Sequence, residues 1–124
     1  MNSNFRYLDN ILKKLVCKLN QFMKFFKKNM IEKYLVEIRI YADNLKKLEW
    51  SIIDGKVDKN IFSIADIFEK KIGNEKWRDS WRVIIIHYHK RALYAENDDL
   101  VLVKKYCLDE LDKLLEKIEN EINI

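Results

Sequence analysis

The stretch from Ser80 to Lys90, SWRVIIIHYHK, holds both histidines of the 124-residue chain, with an arginine ahead of them. Four residues separate Arg82 from His87, and six separate it from His89. A guanidinium and an imidazole are what RNA cleavage through its own 2'-hydroxyl requires. A base of near-neutral pKa takes the hydroxyl proton, and a planar fork of donors balances the charge on the phosphate oxygens. Side chains five positions apart on one helix point about 140° away from each other. One helix therefore cannot aim Arg82 and His87 at one phosphate unless local geometry or a second protomer helps, which makes a homodimer part of any catalytic reading. The structural reading is equally simple: Arg82 pairs with a carboxylate and a backbone carbonyl satisfies His87.

Other chemistries find little support. His87 and His89 diverge on a helix, and no cysteine or carboxylate cluster completes a tetrahedral set, so no metal site is expected. The two glycines, Gly55 and Gly73, are isolated and cannot form a phosphate-cradling loop, so no nucleotide cofactor is expected. Ser80 has no orienting carboxylate to make it part of a triad. Cys17 and Cys107 lack both CxxC spacing and disulfide density, which suggests a reducing cytoplasm. No apolar run has bilayer-spanning length, and lysines are scattered through the first thirty residues, so a soluble protein without a membrane segment is expected.

The elements that would hold these residues are helical. Proline is absent, and 48% hydrophobic against 35% charged residues is a globular balance. Phe5, Leu8, Leu12, Leu15, Leu19, Phe22 and Phe26 step by three and four along one helical stripe. A second stripe, Ile31 to Ile52, follows a phase break near Asn29, where Asn29 and Glu32 have the spacing of a capping box. The expectation is two antiparallel helices, because one helix of such length reaches about 70 Å, more than a small domain covers; a continuous helix with a stutter is the alternative. Asp54-Gly55-Lys56 makes a turn. A shorter helix over Ile61 to Ile72 ends at Gly73-Asn74, a fourth carries Trp77, Trp81, Ile84, Ile85 and Tyr88, and Asn97 or Asp98 caps a last one. Val83 to Ile86 has strand propensity, but no partner strand is visible, so helix is the better assignment. The fold class is all-α: a single domain over residues 1–124, built as an up-down antiparallel bundle of four to five helices.

A small all-α bundle with R-x(4-6)-H in its penultimate helix and a long amphipathic helix, DDLVLVKKYCLDELDKLLEKIEN, at its end resembles the HEPN domain superfamily, and within it the HepT-type toxins. The resemblance covers the later half of the chain. It implies a metal-independent RNase, the toxin of a toxin–antitoxin pair, with a site completed across a dimer and a cognate antitoxin as partner. The implied catalytic residues are Arg82 and His87, with Tyr88 and His89 as possible accessory groups. The chain departs from the family in having Val83 directly after the arginine and His89 where the family has a tyrosine.

Charge is uneven. Residues 1 to 53 carry 11 Lys and Arg against 5 Asp and Glu, and the remainder carries 13 against 15. Lys14, Lys18, Lys24 and Lys28 are candidate RNA-phosphate contacts, although lysines on a surface helix need no ligand. Phe22, Met23, Phe25 and Phe26 overflow one stripe and leave some aromatic surface for a partner helix or for dimerisation, with core packing accounting for most of them. The alternative class of function is a non-catalytic helical binding module: an immunity protein, an antitoxin or another inhibitor of a partner protein. An inhibitor of a nuclease is expected to be acidic toward its target, whereas this chain is basic overall.

Overall fold

The computed structural model describes residues 3–47, 58–95 and 97–123. Four helices make up the fold: α1 (Ser3–Lys47), α2 (Lys59–Asp66), α3 (Glu75–Tyr94) and α4 (Asn97–Ile122), with α2 running on as a wider π-helical segment over Ile67–Ile72. There is no strand among the described residues, and Val83 to Ile86 lies within α3. The all-α bundle is as the periodicity predicts. The Asp54–Lys56 turn and the side chains of Asn97 and Asp98 lie outside what is described.

The division of the first fifty residues into two helices is overturned, since α1 is continuous through Asn29 for 45 residues. With no glycine or proline between Ser3 and Lys47, nothing breaks the backbone ladder there, and the capping chemistry of Asn29 has no helix end to serve. At 1.5 Å per residue α1 reaches about 67 Å, and the bundle covers only its C-terminal half.

That half buries Ile31, Leu35, Ile38, Ala42 and Leu45. By contrast, every residue from Phe5 to Lys27 is exposed. At 100° per residue, the Phe5–Phe26 stripe is rotated by about 130° from the buried Ile31–Leu45 face. The phase break is therefore a change of facing direction within one straight helix. Residues 5–27 form an arm whose apolar side looks away from the bundle.

The other three helices close a ring with α1. α1 packs on α2 and α4, α3 packs on α2 and α4, and among the described residues the backbones of the diagonal pairs stay apart. Ile61, Ile64, Ile67 and Phe68 enter the core from α2 and its π segment, Trp81, Tyr88 and Ala92 from α3, and Leu111, Leu115 and Ile118 from α4. The indole Nε1 of Trp81 donates to the Ile61 carbonyl at 3.2 Å, which satisfies the one polar atom of a side chain only 1% exposed. The consecutive Ile67 and Phe68 at the start of the π segment are both buried in the core.

Gly73 ends this segment at φ +77°, a left-handed conformation that costs a non-glycine residue about 1–2 kcal/mol. Its N–H and that of Asn74 (2.9 Å) both bond back to the Phe68 carbonyl. Asn74 then opens α3 by accepting from the Trp77 amide at 3.1 Å. Ion pairs between elements, Arg39–Glu119 at 2.7 Å, Lys71–Glu37 at 3.0 Å and Arg78–Glu69 at 2.8 Å, tie the helices together at the periphery, where solvent screening keeps such pairs weak. Along single helices, Lys70 pairs with Asp66 at 3.7 Å, Lys46 with Asp43 at 3.6 Å and Lys113 with Glu110 at 3.2 Å.

Candidate functional site

Trp81, Tyr88 and Ala92 fix the rotation of α3, and with it the direction of every other side chain on that helix. Arg82 and His89 fall on one flank, His87 and Arg91 on the other. The His87 flank meets α4 in a cleft of about 370 Å³ lined by Val83, Ile84, His87, Tyr88 and Arg91 from α3 and by Val103, Tyr106, Cys107 and Glu110 from α4. Arg82 does not line this cleft. The expected catalytic pair is thus not brought together within one chain. His87 and Arg91, one helical turn apart, share the cleft in its place. The i, i+4 spacing from His87 to Arg91 is the sequence signal for that pairing.

Neither structural partner foreseen for the pair is present. Both Arg82 and His87 are exposed, and among the described residues neither makes an ion pair or a side-chain hydrogen bond. His89 is half-buried, and its Nδ1 is buried without a hydrogen-bond partner among the described residues. Tyr88 is almost wholly buried, and desolvation holds its phenol above the ordinary value, with a smaller contribution from Cys107. The Arg91 guanidinium lies over the Tyr106 ring, 4.5 Å from its centroid, so the stacked ring fixes the cation at the edge of the cleft.

Cys107 faces the cleft but is 3% exposed, and burial, with help from Glu110, pushes its thiol up to about 12. The thiolate is the reactive form, so Cys107 is chemically quiet at neutral pH. Cys17 sits exposed on the arm. Alkylation of the folded protein at pH 8 is therefore expected to modify Cys17 promptly, with Cys107 reacting only after urea unfolds the bundle. Two thiols reacting at equal rates without denaturant would contradict the burial of Cys107.

Lys14, Lys18 and Lys24 are exposed on the arm, and Lys28 is half-buried at its base, 4.0 Å from Glu32. Lys24, Lys27 and Lys28 border a cleft of about 550 Å³ where the arm leaves the bundle, beside Gly73, Trp77 and Glu121. Phe22, Met23, Phe25 and Phe26 are each 61–63% exposed, so core packing does not account for them. Among the described residues, no group of three or more His, Cys, Asp and Glu is gathered as a metal ion would need, and no helix is long and apolar enough to cross a membrane. Comparison with protein-family models, curated proteins and solved structures finds no match to this chain.

Proposed function

We propose that the protein is a non-catalytic helical binding module that acts by docking to other polypeptides, as an immunity protein, an antitoxin or another inhibitor does. The observation carrying this reading is the apolar surface left bare beside a complete core. Ile38, Leu45, Ile64, Phe68, Leu111 and Leu115 are fully enclosed, yet 22 large hydrophobic side chains among the described residues remain exposed. Twelve of these lie on the arm, and Val83, Ile86 and Leu93 step along the outside of α3 at three- and seven-residue intervals. Monomeric proteins rarely expose contiguous apolar patches beyond a few hundred Å², and larger ones mark interaction sites.

A second reading has one observation in its favour: an imidazole and a guanidinium, His87 and Arg91, line one cleft with a phenol and a carboxylate. In that case the protein is a metal-independent RNase, with His87 as the base and Arg91 as the phosphate-binding cation, or with Arg82 supplied across a homodimer. One experiment separates the two readings. Purified protein is incubated with single-stranded RNA in EDTA, and capture of a candidate partner protein, such as a neighbouring-gene product, is measured in parallel. The binding reading expects intact RNA, capture unaffected by Arg82→Ala with His87→Ala, and capture lost with Val83→Asp and Ile86→Asp. RNA cleaved to 2',3'-cyclic phosphate ends, with the activity abolished by His87→Ala, overturns it in favour of the RNase.

A further inference from the structure

We infer that the arm of α1 is a self-association element that pairs with the same segment of a second copy as a short coiled coil. The inference rests on the reading of the chain as an associating module, though not on the identity of any other partner. Its starting point is the spacing of the stripe from Phe5 to Phe26, seven apolar residues separated alternately by three and four positions. That is the 3.5-residue repeat of a coiled-coil seam held over three heptads, with every a and d position filled by Leu or Phe. These side chains are 51–65% exposed.

The chain's own bundle cannot cover them. The stripe faces about 130° away from the side of α1 on which α2 and α4 pack, so no closing movement of the ring reaches it without bending a helix that has no hinge residue. With Ile11, Val16 and Met23 beside the seam, the arm leaves on the order of 1,000 Å² of apolar surface bare, against the about 800 Å² that a standard interface takes from each partner.

The charges decide among occupants. Residues 1–28 hold seven cations, Arg6, Lys13, Lys14, Lys18, Lys24, Lys27 and Lys28, against Asp9 alone, a net of +6. In the heptad frame set by the stripe, six of the seven fall at the outer b, c and f positions, and only Lys18 flanks the seam. Two copies can therefore close without like charges in contact across the apolar layer, repelling each other only through solvent.

A flat anionic lipid surface fits less well. Beyond Met30 the same side of the helix carries Lys33, Asn44 and the Lys71–Glu37 ion pair, so the apolar stripe gives way to polar groups and the helix cannot lie on a membrane along its length. Nucleic acid would use the lysines and leave the stripe uncovered.

The test is sedimentation equilibrium of the full 124-residue chain at several protein and salt concentrations. A mass of twice 15.1 kDa is expected at micromolar concentration, with dimerisation strengthened as salt rises because salt screens the repulsion between +6 arms. Leu12→Asp with Leu19→Asp is expected to give a monomer at the same concentration. Tryptophan emission and the urea midpoint of the bundle should be unchanged, and part of the helical circular dichroism lost as an unpaired arm frays.

A wild-type monomer at 100 µM overturns the inference, as does a dimer that survives the double substitution. So does an assembly that weakens with salt and forms only with phosphatidylglycerol vesicles or with an acidic protein, because the occupant is then the opposite charge and not a second copy. Partner capture that is absent in the wild type, or that survives Val83→Asp with Ile86→Asp, while the dimer is intact would instead count against the binding function alone.

Discussion

Ile38→Asp is expected to abolish cooperative folding, while Leu15→Asp in the same helix leaves the bundle's urea midpoint where it was. Both replace an aliphatic residue of a three-and-four stripe with a carboxylate, and helix propensity falls by a similar fraction of a kcal/mol at either site. The difference lies in what surrounds them. Ile38 is 0% exposed, in the middle of the face that α1 turns to the other helices, and no cation in the core can pair with a new charge. Its carboxylate must be desolvated or protonated, and packing is lost as well, which places the change among the largest single-site effects, above about 4 kcal/mol. Leu15 is 51% exposed on the arm, where an aspartate can weaken pairing between copies but is not forced into the bundle core, and for the bundle itself surface changes usually fall within about 0.5 kcal/mol. Tryptophan emission through urea denaturation reads the bundle and not the arm. Equal effects at the two positions would mean that the arm's stripe is covered within the chain.

Trp81→Ala is expected to destabilise the bundle by about 3–5 kcal/mol, the usual range for removing a buried Trp or Phe. For a domain of ordinary stability, about 5–15 kcal/mol, that is a large share of the total. Trp81 joins α3 to α2 by filling the shared core and by bonding the Ile61 carbonyl, so the substitution opens a cavity between elements that are adjacent in the ring. Trp81→Phe keeps most of the volume and drops the hydrogen bond, and a loss of about 1–2 kcal/mol is expected from it. Urea denaturation with an unchanged slope is the measurement. A loss below 1 kcal/mol for the alanine variant would show that the indole is not enclosed.

How far the chain disclosed its structure depends on which properties are local. The stripes of α1, α3 and α4 were readable because helical periodicity is written in the spacing of Leu, Ile and Phe along a few turns. Gly73 and Asn74 were readable because a left-handed residue and a side-chain acceptor serve one turn each. The direction a stripe faces is not local. The phase change at Asn29 marks a boundary in the sequence, but a turn and a change of partner leave the same mark, and only the absence of anything to break the helix favours the second.

The π segment has no signature in the residues of Ile67–Ile72. Within the candidate site, His87 and Tyr88 are placed by helical phase alone. Arg91 lies one turn beyond His87 on the same flank, while an R-x(4-6)-H pattern looks the other way along the chain, toward Arg82. That His87 and Arg91 share a flank is written in their i, i+4 spacing, but that this flank is the one meeting α4 follows from packing, which no spacing within α3 reveals.

The exposed arm also governs how the molecule moves through a solvent. A compact chain of 124 residues has a radius of gyration of about 14 Å, whereas the 23 residues from Phe5 to Lys27 stand about 35 Å clear of the bundle. Friction follows the longest dimension, so even one copy should diffuse and elute like a much heavier globular protein, and two copies paired along their arms like a rod that carries two bulbs. Retention on a sizing column therefore overstates mass for this chain in every state. Scattered light or equilibrium sedimentation, which weigh particles without assuming a sphere, give its stoichiometry directly.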